Sequence, residues 1–205
     1  MNLKEKPDAI RIDHEDEKAA HSIAAGLTSL LPTDSGRPVL LVCIGTDRST
    51  GDSLGPLIGT FLKEAGLKRF HVIGTLDDPV HAVNMQKRLD EIKESYCNPF
   101  IIGVDACLGR LKNIGVIQIG DGPVKPGTGV NKELPEVGDI HMTGIVNVSG
   151  FMELFVLQNT RLSLVMKMAK IAADGIRQSE LAWLRRTAIV ADLAAGNDRA
   201  TLEEA

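Results

Sequence analysis

The chain has 205 residues, 43% of them hydrophobic, which suits one domain with a sizeable core. A net charge of -4, with 27 acidic against 23 basic residues and only 3% aromatics, argues against nucleic-acid binding and base-stacking platforms. Three cysteines, Cys43, Cys97 and Cys107, form no CxxC pair and no disulfide framework, so a reducing compartment is expected.

No signal-peptide pattern opens the chain and no apolar run is long enough to cross a bilayer, so the protein is expected to be cytoplasmic and without a membrane partner. Residues 1–36 read as an N-terminal extension. Met1 to Asp16 is charged and irregular, whereas Ile23, Ala24, Leu27, Leu30 and Leu31 recur at helical spacing, predicting one amphipathic helix over Glu17 to Leu31. Pro32 to Gly36 ends it.

Residues 37–184 read as an α/β domain. Val39 to Ile44 is a continuous apolar run, the pattern of a strand buried on both faces. A polar loop follows, Gly45 to Ser53, and then a helix from Leu54 to Ala65 closed by Gly66. Arg69 to Thr75 predicts a second strand, Ala82 to Tyr96 a helix, and Phe100 to Val104 a third strand ending at Asp105. Ile114 to Ile119 predicts a fourth strand. Gly120 to Gly138 is rich in Gly and Pro and lacks periodicity, as functional loops do. Asp139 to Asn147 reads as a lead into helix from about Ser149 to Gln158, before a long helix over Leu162 to Trp183. Residues 185–205 form an Ala-rich tail, helical or disordered. Alternating apolar strands and helices predict a three-layer α/β/α sandwich with a mainly parallel sheet.

Chemistry is expected at the carboxyl ends of the strands, where open α/β sheets bind ligands. Asp52, after the first strand and before a helix, is expected to be held ionised by the helix dipole, or else Asp52 or Ser53 caps that helix. The loop has neither GxxxxGK[ST] nor GxGxxG, which disfavours nucleotides. Asp105 closes another strand on the same edge, so the two carboxylates can face one crevice, share a proton, activate water and protonate a leaving amine. Asp105 alone would serve equally as a cap or loop anchor. His141 would complete a metal set with Asp52 and Asp105, suited to nickel or zinc, although no HExxH-type spacing accompanies it. Cys107 is an alternative nucleophile, with His141 as its base. His81 is a helix-start or pocket residue.

Several of these segments together resemble the YyaC-type sporulation proteins of spore-forming Firmicutes. They are Ile44 to Pro56, Gly74 to Asn84, Val104 to Gly109, Lys125 to Val130 and His141 to Gly144, and the likeness spans about residues 37 to 182. That family is similar in turn to the germination protease and, more distantly, to hydrogenase maturation endopeptidases. The resemblance implies a phosphorylase/hydrolase-like fold and a metal-independent spore endopeptidase whose essential aspartates correspond to Asp52 and Asp105. Pro126 to Val130, with Gly127 and Gly129, matches the germination protease's Pro-Gly-x-Gly-Val loop. The likeness also implies a protein or peptide substrate such as small acid-soluble spore proteins, a forespore or spore interior location and a homo-oligomer. The maturation-type alternative would use Asp52, Asp105 and His141 on nickel, and a non-catalytic peptide-binding factor is a further alternative. On the peptidase reading Asp52 is the base and Asp105 the acid, or the reverse, since coupled titrations belong to the pair. Thr46, Asp47, Thr50, Gly51, Ser53, His81, Cys107, Gly127, Gly129 and His141 are expected to line the site, with Thr50, Ser53 and the Gly51 backbone positioning water or the oxyanion.

Overall fold

The computed structural model describes residues 9–33, 36–127 and 134–203, with side chains to residue 190. In chain order the elements are β1 (Ile10–Asp13), α1 (Ala19–Leu30), β2 (Val39–Cys43), α2 (Leu54–Ala65), β3 (Phe70–Ile73), α3 (Met85–Ser95), β4 (Phe100–Gly109), β5 (Val116–Asp121), β6 (Ile140–Val148), α4 (Glu153–Gln158) and α5 (Leu162–Glu203). One short 3-10 turn, Leu111–Asn113, precedes β5.

All five residues of β2 are buried because helices cover both faces of the sheet there. Its side chains alternate between two cores. Val39, Leu41 and Cys43 pack with α1, α2 and α5, while Leu40 and Val42 pack with Met85, Leu89 and Ile92 of α3. Burying each such leucine contributes about 2 kcal/mol. This is the expected three-layer α/β/α arrangement, with the larger core on the α1–α2–α5 side. The apolar run of β2 was therefore a true signature of two-sided burial.

The sheet order is β1-β5-β6-β4-β2-β3. β2, β3, β4 and β6 are parallel, and β5 runs antiparallel to both β1 and β6. From β2 the chain crosses to β3 on one side through α2, then returns through α3 to β4 on the other. The carboxyl ends of β2 and β4 thus flank a topological switch point, where open α/β sheets carry their ligand crevice.

Four expectations need correction. Ile140–Val148, read as a lead into helix, is a central strand between β5 and β4. Its alternation with polar residues arises because one face of β6 looks onto a cleft. β4 does not stop at Asp105 but continues to Gly109 because β6 accompanies it. Ile10–Asp13, within the stretch read as irregular, is an edge strand paired with β5. The helix expected from Ala82 begins at Met85.

α1 and the described side chains of α5 belong to the same body. Ile23 and Leu27 of α1 lie in the larger core. α5 continues unbroken past residue 184, where Arg186 donates to the carbonyls of Thr28, Leu31 and Pro32, tying down the C-terminus of α1. No helix among the described residues is long and apolar enough to cross a membrane.

Candidate active site

The loop from β2 to α2 is folded tightly on itself. Gly45 has φ 143°, and a Cβ there would stand 1.9 Å from the Asp52 carbonyl oxygen. A Cβ on Gly55 would stand 2.1 Å from the Ile44 carbonyl. Only glycine permits both approaches. Thr46 N–H then donates to the Asp52 carbonyl at 3.2 Å, and Gly45 N–H to the Val80 carbonyl at 2.8 Å. These contacts hold Asp52 beside the end of β2 and bring the 78–81 turn alongside.

Asp52 and Asp105 line one cleft of about 730 Å³ at the switch point. Asp105 stands on β4 in register with Thr143 of β6, one residue beyond the last β2–β4 pair, Cys43 with Val104. Burial is the main cause that pushes the Asp105 carboxyl up to about 8. The Ala106 N–H, donating to Asp105 Oδ1 at 2.8 Å, opposes that shift, and the nearby Asp52 charge adds to it. Burial thus favours the protonated form of Asp105 near neutral pH.

Asp52 departs from expectation in one respect. The helix start does not hold its carboxyl: Ser53 is the N-cap of α2, and its side chain makes no capping hydrogen bond. Burial raises the Asp52 carboxyl above the ordinary carboxylate range, opposed by Ser49. The Ser49 hydroxyl is buried without a well-formed hydrogen bond of its own, so its approach to Asp52 is a loose one.

The remaining expected residues divide. Thr46, Asp47, His81, Cys107, Gly127 and His141 line the cleft with the two aspartates. Thr50, Gly51 and Ser53 do not. Gly51 N–H donates to the Leu157 carbonyl at 2.9 Å, and a Cβ there would meet the Leu157 side chain at 2.8 Å, so this residue is packed under α4. Ser53 is buried, its hydroxyl donating to the Thr50 carbonyl at 2.7 Å. That turn is closed on itself and offers the cleft no oxyanion donor. Gly129 lies outside the described residues.

His141 Nδ1 stands 2.9 Å from the Gly122 carbonyl, an orientation in which Nδ1–H donates and Nε2 is left as the acceptor. His81 Nδ1 accepts from Val83 N–H at 3.3 Å, which places its proton on Nε2. Among the described residues no three His, Cys, Asp or Glu side chains converge on a metal position. Asp52, Asp105 and His141 share the cleft but do not form the nickel or zinc set that their chemistry suggested. Cys107 fares no better as a nucleophile: burial pushes its thiol up to about 11, with Thr143 and Arg11 opposing and Asp105 assisting. Little thiolate exists at pH 7.

Three contributors escaped the sequence reading. Thr143 faces the cleft beside Asp105, and Arg48 lines it from the loop. Leu154, on α4, forms part of the rim. Only Thr143 had a usable signal, since it stands two residues from His141 on what proved to be a strand.

The chain is 62% identical over 165 residues to "Uncharacterized protein YyaC" of Bacillus subtilis (strain 168), covering 80% of each chain. A solved structure with a related chain path is the NiFe hydrogenase maturation protease HycI from Thermococcus kodakarensis KOD1. Its TM-score is 0.48 at 17% identity, covering 71% of this chain and 94% of that one. Residues 11–175 match the family described as "Protein of unknown function (DUF1256)". With that match over most of its length, the chain belongs to the DUF1256 family.

Proposed function

We propose that this protein is an endopeptidase in which Asp52 and Asp105 act as a pair, with a sporulation protein as substrate. The observation that carries the reading is one cleft lined by two partly buried carboxyls, both raised by burial, with Asp105 pushed up to about 8 and the charge of Asp52 contributing to that shift. Paired groups with separated pKa values supply an acid and a base at one pH.

In this mechanism ionised Asp52 takes a proton from water, and the water oxygen attacks the peptide carbonyl. Protonated Asp105 gives its proton to the departing amine nitrogen as the C–N bond breaks. The two carboxyls then exchange a proton through solvent, restoring the starting state. Because the pair titrates as a unit, their roles are those of the dominant protonation state. Thr46, Arg48, Thr143 and the Nε2–H of His81 are among the donors lining the cleft that can serve the developing oxyanion, in place of the Thr50–Ser53 turn.

The Bacillus relative and the acidic pair together direct the first substrate trial to small acid-soluble spore proteins. The test is incubation of the purified protein with them, with peptide mass analysis of the products and Asp52→Asn and Asp105→Asn as controls. Cleavage by wild type that both variants lose supports the reading. Cleavage at full rate by both variants overturns it, as does intact substrate together with binding unaffected by either change.

A further inference from the structure

The end of β2 leaves part of β4 without a neighbour on one side. β2 pairs with β4 from Val39–Phe100 to Cys43–Val104, and Ile44 N–H then donates to the Val104 carbonyl at 2.7 Å. β4 continues to Gly109 with β6 alone beside it.

Hydrogen bonds along β4 establish where its main-chain groups point. Phe100 N–H donates to the Pro38 carbonyl at 2.8 Å, and the Val104 carbonyl accepts from Ile44, so even-numbered residues turn toward β2. The Ile101 carbonyl accepts from Asp139 N–H at 2.7 Å and the Gly109 carbonyl from Ser149 N–H at 2.8 Å, so odd-numbered residues turn toward β6. The register shift beside Cys107 falls on β6, which steps from Ile145 to Asn147, and leaves the alternation of β4 intact. Ala106 and Leu108 therefore aim their N–H and C=O groups to the side β2 has vacated, and both residues line the cleft. Asp105 Oδ1 occupies the Ala106 N–H. Among the described residues no strand lies beside the Ala106 carbonyl or the main-chain groups of Leu108 on that side, because the β2–β4 pairing ends at Val104.

We infer that an extended polypeptide segment docks in this cleft by strand addition, pairing its main chain with Ala106 and Leu108 where β2 would have continued. Only another extended backbone presents donors and acceptors at the spacing this edge requires; a helix has already used its own. One residue of the segment donates its N–H to the Ala106 carbonyl and accepts the Leu108 N–H. Its neighbours point alternately to the two walls, as strand geometry dictates. Val83 and Leu154, 91% and 61% exposed and both on the cleft, offer apolar surface to those side chains. At about 3.3 Å per residue, the edge from Asp105 to Gly109 spans roughly 13 Å, enough for a short segment lying beside Asp105. The inference rests on the reading of the cleft as a peptide site and adds how the peptide is held.

The test uses overlapping synthetic peptides tiling a small acid-soluble spore protein, with binding to the Asp52→Asn protein read by fluorescence anisotropy. The tightest peptide is then N-methylated one residue at a time. Strand addition predicts that alternate N-methyl groups weaken binding about tenfold, from a lost hydrogen bond and a blocked edge, while those between have little effect. Amide exchange at Leu108 should slow in the complex. A period of three to four residues, uniform sensitivity, or no peptide binding at all overturns the inference. Period-two binding without cleavage by wild type would sink the hydrolytic reading alone. Cleavage with no period-two dependence would sink only the strand addition.

Discussion

The carbonyl oxygen of Asp52 occupies the space where a side chain on Gly45 would begin, 1.9 Å from that Cβ position. The candidate base is therefore located by a residue with no side chain. Gly45→Ala should destabilise the protein by about 1–3 kcal/mol from the backbone conformation alone, with the contact adding to it. Urea unfolding gives the stability change. Activity measured on the folded fraction should fall as well, because relief of the contact must move the loop that carries Asp52.

Asp105 predicts a pH dependence with a definite sign. Its carboxyl is raised to about 8 in the folded protein from an ordinary value of 3.8. The folded state then holds a proton that the unfolded chain has released between those two values. Stability from this group is complete below about pH 4 and is lost as pH rises toward 8, at up to about 1.4 kcal/mol per pH unit. Asp105→Asn should flatten that part of the stability profile, as read by denaturant midpoints across pH. If cleavage occurs, its rate should also fall above about pH 8, where the acid ionises.

Cys107 should be chemically quiet. With its thiol near 11, iodoacetamide at neutral pH should modify exposed Cys97 well before Cys107, as peptide mapping will show. Cys107→Ser should keep cleavage within the same order of magnitude. Loss of cleavage on selective alkylation of Cys107, reproduced by the serine variant, would return the thiol to consideration.

Far from the cleft, Glu180 of α5 secures the entry to β3. Its Oε1 accepts the N–H groups of Lys68, Arg69 and Phe70 at 2.9, 2.6 and 2.9 Å, and the residue is 2% exposed. Glu180→Ala should cost about 3 kcal/mol by leaving those donors without their charged acceptor. Glu180→Gln should cost less, since it keeps an oxygen but loses the charge. Calorimetric or urea unfolding of the two variants checks the order.

How legible the molecule was depends on whether a signal is local. β2, α2 and the Gly66 stop were readable because burial on both faces, helical periodicity and a left-handed cap each mark their own short stretch. Gly66 indeed has φ 67°. β6 was not readable, since His141 and Thr143 interrupt its apolar residues where they face the cleft. β1 was too short to show a period.

By itself the sequence determined the strand–loop–helix that carries Asp52, the apolar strand that carries Asp105, and the layered class of the fold. These follow from side-chain burial and backbone preference within a few residues. Tertiary structure alone decided which loop residues face the cleft, turning Thr46 and Asp47 inward and Gly51 under α4. It also decided that β4 outruns β2, because β6, far along the chain, supplies the hydrogen bonds that let the strand continue past Asp105. Main-chain pairing is specified by which strand arrives alongside, and that depends on the packing of the whole sheet.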